Sequence, residues 1–316
     1  MLPIRTIRDP RAASRPERAE RAVALLARMN QHLDVDPAIR WDAWEHLHDR
    51  MVELLTPEAL VQFKSHPDLA PQICGGDDSY LTKVRELRGT ETLSFFLRTF
   101  RETLCGDPPD VTNVEGSFLT RTSMRHIHYL STLHGFIRPY FGAVNEVVEV
   151  GGGFGNLARL MLQYNLTRRH TIIDFPASMA IQYFFLGEFL DEADIAIWTG
   201  REYLAGSAAS RVRLTLPNGT DAVAAELKTG GPSMLVSTMA MTEITNAGQD
   251  FYLSRLKPDA VYVSGQTDLD SINRSQALDR FQVLENRSLF YRLAEDFHPV
   301  EFRQGDYYTE FVGTAL

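Results

Sequence analysis

Val147-Val148-Glu149-Val150-Gly151-Gly152-Gly153-Phe154-Gly155-Asn156-Leu157 decides how this chain is read. An apolar run leads into a glycine cluster, and a helical pattern follows through Leu157, Leu160 and Met161. That order is strand, tight turn, helix. Glycines let the backbone turn sharply and come close to a ligand. A second apolar run, Thr171-Ile172-Ile173, ends in Asp174, nineteen residues after Gly155. A doubly wound α/β fold holds a nucleoside in this way, with glycines beneath one part and a carboxylate on the ribose hydroxyls.

The spacing narrows the ligand. A dinucleotide fingerprint reads G-x-G-x-x-G. Counted from Gly151, its third glycine would fall on Asn156, whereas this chain has G-x-G-x-G at Gly151, Gly153 and Gly155. Glu149 stands two residues before the first glycine. A carboxylate there disfavours a pyrophosphate and favours a ligand bearing an ammonium and a sulfonium. S-adenosylmethionine (SAM) has both charges and no phosphate. A glycine-rich turn without a ligand is the bland alternative, and it spends backbone entropy for no gain. A nicotinamide oxidoreductase is disfavoured by Asn156 and Glu149 together.

Around these residues the chain resembles class I SAM-dependent methyltransferases, and more narrowly the bacterial putative sugar O-methyltransferases. The resemblance rests on Val148 to Ala158, on Ile172-Ile173-Asp174-Phe175-Pro176, on Gln182-Tyr183-Phe184, and on Leu235-Val236-Ser237-Thr238-Met239-Ala240-Met241-Thr242-Glu243-Ile244. It spans about residues 115 to 316. The last stretch departs from the family's N-T-F-S-M-x-E-M, with Ser237 for Asn and Ala240 for Ser. The Asp-Phe-Pro step is also similar to the Asp-Leu-Pro of plant-type O-methyltransferases, but their H-D-W segment is missing. The resemblance implies a Rossmann-like fold with a mainly parallel seven-stranded sheet, SAM as methyl donor and S-adenosylhomocysteine as product. It also implies a small-molecule acceptor, a sugar hydroxyl first. N-methylation of a small amine and a non-catalytic partner subunit are the alternatives.

Composition fits such a protein. The 316 residues are 44% hydrophobic, enough for one large or two modest cores. A net charge of −9 argues against nucleic acid as the main partner. The arginines between Arg5 and Arg28 are partly balanced by acids and read as a solvated face. Cys74 and Cys105 suggest neither a disulfide framework nor a zinc site, so a reducing cytoplasm is expected. No apolar run is long enough for a membrane span, and no apolar core follows the charged N-terminus as in a secretory signal.

Organisation changes near residue 115. Residues 1–115 read as a helical lid or dimerisation region, with helices expected at 16–32, 40–55 and 81–104 and a turn at Gly75-Gly76-Asp77-Asp78. Residues 116–316 read as the SAM-binding domain. A helix over 120–140 enters it, and strands are expected at 145–150, 169–174, 194–198, 233–238, 259–264, 299–303 and 307–314. Helices at 155–165, 177–190, 245–257 and 273–284 fill the gaps. Arg211 to Leu227, around Pro217-Asn218-Gly219, reads as a small surface hairpin.

Methyl transfer to a hydroxyl needs the nucleophile held on axis at about 3–3.5 Å and a base for its proton. His126, His128 and Glu243 are the catalytic candidates. Positions two apart on a helix point to different faces, so only one of the two histidines should face the pocket. For the cofactor, Glu149 is expected at the methionine ammonium and Gly151, Gly153 and Gly155 under the turn. Asp174 is expected on the ribose and Phe175 on adenine. Trp198 and Thr199 are candidates for reading the adenine edge, and Ser237 and Thr238 for the loop beside the methyl group. Arg121, Arg125, Tyr129, Gln266 and Tyr307 are candidates for the acceptor side; an Arg-rich stripe suits a carboxylate or phosphate. Asp268 and Asp270 are two carboxylates in one loop, an ordinary feature, and no metal is expected. A homodimer through the N-terminal helices is one reading of residues 1–115, a substrate lid the other.

Overall fold

The computed structural model describes residues 11–37, 39, 42–74, 91–114, 116–266, 286–304 and 308–315. Its centre is a nine-stranded sheet. The strands are β3 (Val144–Val150), β4 (Thr167–Ile173), β5 (Ile195–Trp198), β6 (Tyr203–Ala205), β7 (Val212–Thr215), β8 (Ser233–Thr238), β9 (Ala260–Gln266), β10 (Phe297–Gln304) and β11 (Tyr308–Ala315). Their spatial order is β10-β11-β9-β8-β3-β4-β7-β5-β6. A separate two-stranded hairpin joins β1 (Thr112–Val114) to β2 (Ser117–Leu119).

The inner strands β9, β8, β3, β4, β7 and β5 run parallel. Parallel strands are covered on both faces, so they read as near-continuous apolar runs. In β3, Val147 enters the core on one face while Val148 and Val150 enter the core on the other. The first face carries two cores. Helices Arg15–Asn30 and Pro176–Leu186 fill the half over β4, β7 and β5, and helices Glu91–Thr99 and Arg121–Phe141 fill the half over β3, β8 and β9. Helices Thr220–Leu227, Asn246–Leu256 and Asn286–Asp296 cover the second face. This is the mainly parallel, doubly wound α/β architecture expected from the alternating pattern.

Two departures have a physical cause. The expected surface hairpin at Arg211 to Leu227 is instead the fully buried parallel strand β7 and a helix, Thr220–Leu227. β7 lies between β4 and β5 in the sheet. Arg213 hid it, because a charge in a short apolar run reads as surface. Here the guanidinium is buried, bonded to Glu146 at 2.9 Å and Glu226 at 2.8 Å, and set over Trp198. The second departure is β6, a three-residue antiparallel edge strand. With β7 it takes the sheet from seven strands to nine. The closing antiparallel pair, β10 and β11, is where the sequence places it.

The N-terminal helices pack directly on the sheet lobe. Arg18 on Arg15–Asn30 donates to the Phe184 carbonyl at 2.9 Å and to Glu188 at 2.7 Å, and both side chains are buried. Gly187 makes room: a Cβ there would sit 2.4 Å from Arg18 Cδ. After this helix the chain crosses the carboxyl edge of the sheet. Leu26 and Met29 belong to the core on the first face, while Val35 and Ile39 belong to the core on the second.

The turn expected at Gly75 to Asp78, part of the 81–104 helix, the 273–284 helix, Asp268, Asp270 and Tyr307 lie outside the described residues, as does the side chain of Gln266. No described helix is long and apolar enough to cross a membrane.

Candidate active site

The glycine turn leaves β3 at its carboxyl end and enters helix Asn156–Gln163, with Gly155 left-handed at the N-cap. Gly151 has φ +74°, and a Cβ on it would stand 2.3 Å from Ala240 Cβ. Only glycine fits where the post-β8 turn crosses this loop. The Gly153 carbonyl accepts from Gln182 Nε2 at 3.0 Å, tying the loop to helix Pro176–Leu186.

Asp174 follows β4 directly beside this loop. Its Oδ2 accepts from the Gly152 amide at 3.1 Å and from Gln182 Nε2 at 2.7 Å, and Oδ1 accepts from the Phe175 amide at 2.8 Å. Burial still pushes its carboxyl up to about 6; the amide bonds and the Gln182 and Ser178 side chains pull the other way. A small cleft, partly open to solvent, lies there. Its floor is Val150, Gly151, Ile173 and Asp174; Phe175, Pro217 and Tyr252 line it further. Ala240 and Ile244 come from the turn after β8, and Ile39 and Trp44 come from the N-terminal region. A mostly apolar cleft with one carboxylate at the carboxyl edge of a parallel sheet suits a flat heterocycle joined to a diol. The crowded glycine and the pocket carboxylate are the two features a nucleoside site needs.

Other expected cofactor residues are placed differently. Glu149 is 1% exposed, and its Oε2 is 2.9 Å from His170 Nε2, also fully buried. The carboxylate expected at a ligand ammonium is thus closed into a pair on the sheet face. Trp198 is outside the cavity lining; it stacks on Tyr203 at 6.0 Å and carries Arg213 on its ring. Thr199 is used in the turn to Glu202. The strand end next to Asp174 is β7, so Pro217 holds the position given to Trp198. Ser237 Oγ donates to the Val150 carbonyl at 3.1 Å and accepts from the Met241 amide at 2.9 Å, fastening the post-β8 turn to β3. Thr238 is half-buried at the end of β8.

The catalytic candidates separate clearly. His126 and His128 point to different places, as helical spacing requires, yet both are buried. His126 Nδ1 lies 2.9 Å from Asn156 Nδ2, and its ring meets Phe154 edge-on. Burial, with Arg125, Arg159 and Lys64 nearby, holds its pKa well below the ordinary range, so it is neutral. With the amide nitrogen as donor, Nδ1 accepts and the proton sits on Nε2. Asn156, where a dinucleotide fingerprint would have glycine, positions this ring. His128 Nε2 is 2.9 Å from Glu310, which also accepts from Tyr262 at 2.6 Å; all three are buried between helix and sheet.

Glu243 ends the short helix Ala240–Glu243. It keeps some solvent contact but is ringed by protein. Burial pushes its carboxyl up to about 7, opposed by Arg125. Arg125 also donates to the Cys74 carbonyl at 2.6 Å. Arg121 is exposed, and its amide donates to Asp110 at 3.0 Å. Tyr129, expected on the acceptor side, is 1% exposed between His126, His128 and Tyr262, in the core. Residues missed in the sequence are Ile39, Trp44, Pro217, Ile244 and Tyr252. Their only signal was apolar spacing or a turn motif, which core and loop residues share. Among the described residues no group of three or more His, Cys, Asp or Glu is placed to hold a metal ion.

No protein-family model and no curated protein sequence matches this chain. Solved structures do. The methyltransferase domain of the bacterial CtHen1 matches at TM-score 0.42 and 15% identity, over 60% of this chain and 97% of its own. A SAM-dependent methyltransferase from Anabaena variabilis matches at 0.38 and 12%, over 57% and 82%. The N-methyltransferase NodS of Bradyrhizobium japonicum matches at 0.37 and 14%, over 60% and 94%.

Proposed function

We propose that this protein is a SAM-dependent methyltransferase acting on a small-molecule hydroxyl. The observation that carries the reading is Asp174, a pocket carboxylate at the carboxyl end of β4, next to a glycine turn too crowded for any side chain at Gly151. Asp174 would hold the ribose hydroxyls, and the apolar walls at Phe175, Pro217 and Tyr252 would hold the adenine. Bound SAM supplies an electrophilic methyl group.

The chain's own residues then orient the acceptor and take its proton. Glu243 suits that proton best. Its carboxyl is raised to about 7, near working pH, and it follows Ala240, which lines the cavity. His126 is a poorer base, because its pKa is held well below the ordinary range and its unprotonated nitrogen is taken by Asn156. Arg125, beside Glu243, keeps that carboxyl from rising further and offers a cation to a polar acceptor. A sugar hydroxyl is the acceptor class suggested by the resemblance of Leu235 to Ile244 to sugar O-methyltransferases.

Calorimetric titration tests this, with SAM and NAD run in parallel on wild type and Asp174→Ala. Micromolar SAM binding, no NAD binding and loss of SAM binding in a folded Asp174→Ala protein are expected. NAD binding, or SAM affinity unchanged in the variant, overturns the assignment.

A further inference from the structure

The cavity has a wall that the nucleotide-binding half of the chain does not supply. Ile39 and Trp44 line it together with Asp174 and Phe175, although they lie more than a hundred residues earlier. The path of the chain accounts for this. Helix Arg15–Asn30 is fixed to the first face of the sheet through Arg18 and Glu188. The chain then passes over the carboxyl edge, seats Val35 and Ile39 in the core of the second face, and returns with Met51 and Leu55 to the core of the first. It therefore arches across the mouth of the cavity. Besides those core residues, Asn218 Nδ2 donates to the His32 carbonyl at 3.2 Å, and Arg255 meets Asp36 at 3.4 Å with both side chains about a third exposed. The His48 ring sets against Phe175 with centroids 5.6 Å apart, so the arch meets the floor of the cavity at the aromatic residue after Asp174.

Resting on the SAM reading, we infer that the N-terminal arch supplies a specificity-determining wall for the base of the nucleoside, with Trp44 as its flat face and Ile39 as its apolar support. Ile39 and Trp44 then belong to the cofactor's nucleoside end, not to the acceptor alone. Asp174 selects for a diol; Trp44 selects for a flat heterocycle attached to it.

The test is SAM titration of wild type, Trp44→Ala and Trp44→Phe, with melting curves to show that each variant folds and tryptophan fluorescence as a second readout. Stacking of a base on an aromatic side chain is worth ~1–3 kcal/mol, so Trp44→Ala should weaken SAM by about 5- to 150-fold, while Trp44→Phe stays within about threefold. SAM should alter the fluorescence of wild type, and that change should be largely lost in Trp44→Phe although Trp41 and Trp198 remain. Should Trp44→Ala fail to fold, Trp44→Leu keeps apolar bulk without the flat face and is expected to lose the same affinity. Wild-type affinity in a folded Trp44→Ala or Trp44→Leu protein overturns the arch assignment and leaves the SAM reading standing. Failure of wild type to bind SAM overturns both.

Discussion

At the scale of single residues, the two carboxyl groups to which the proposed function gives roles are both raised by burial: Asp174 to about 6 and Glu243 to about 7. Their unfolded values lie near 4, so between pH 4 and 7 the folded chain binds more protons than the unfolded one. These groups therefore favour the fold at pH 5 and withdraw that support as pH rises through 7. Activity runs the other way, because a base must be ionised. In wild type, kcat/KM should fall as pH drops below about 7. Glu243→Gln should lower kcat by roughly 10²–10⁴ and move that limb down to the one near 6 that Asp174 gives, while SAM affinity at pH 7 holds. A pH–rate profile of both proteins checks this; a limb still near 7 in the variant assigns the base elsewhere. The position of Asp174 beside the glycine turn was legible in the sequence because it depends on one strand end and one turn, both local. It misplaced Glu149, because the partner that closes it, His170, comes from the neighbouring strand and only register brings the two together. Trp198 was misplaced for the same reason: β7, inserted between β4 and β5, moves it one strand away from Asp174.

At the scale of elements, the strands read most clearly where an apolar run is unbroken, as at Met234-Leu235-Val236 in β8. Arg213 concealed β7, since a buried cation cannot be foreseen without its two carboxylates, Glu146 and Glu226. The helices were legible by period, but what they cover was not. Helix Arg15–Asn30 docks through one buried ion pair, Arg18 to Glu188, which Arg15 also joins at 3.0 Å. Removing one member of a buried pair strands the other, at a cost of about 3–5 kcal/mol, reduced here by the second arginine. Arg18→Ala should therefore lower stability by about 2–4 kcal/mol in urea unfolding at pH 7. Glu188→Gln, which removes the carboxylate that both arginines share, should cost a similar amount. A loss below about 0.5 kcal/mol for Arg18→Ala would place it with ordinary surface arginines.

For the whole molecule, the expected division near residue 115 separates two regions that share their cores. Phe63 of the N-terminal region packs against Phe154, Phe184 and Phe185 of the other, at 5.6, 6.5 and 6.4 Å. Sequence pattern marks where composition changes, and cannot tell which surfaces later meet. The sheet itself has a further consequence, for the behaviour of many molecules together. An open sheet ends in strands whose outer amides and carbonyls invite another chain. Here one outermost strand, β6, is three residues long. The other, β10, contains Pro299 at an exposed position, where its register against β11 slips between Pro299 and Glu301. A proline has no amide to offer a neighbour, and a slipped register bends the border. Pro299→Val should leave the fold in place yet raise light scattering of concentrated solutions on standing. Unchanged scattering would mean that the border is guarded elsewhere. The same irregularity that ends the sheet would then also keep the protein dispersed.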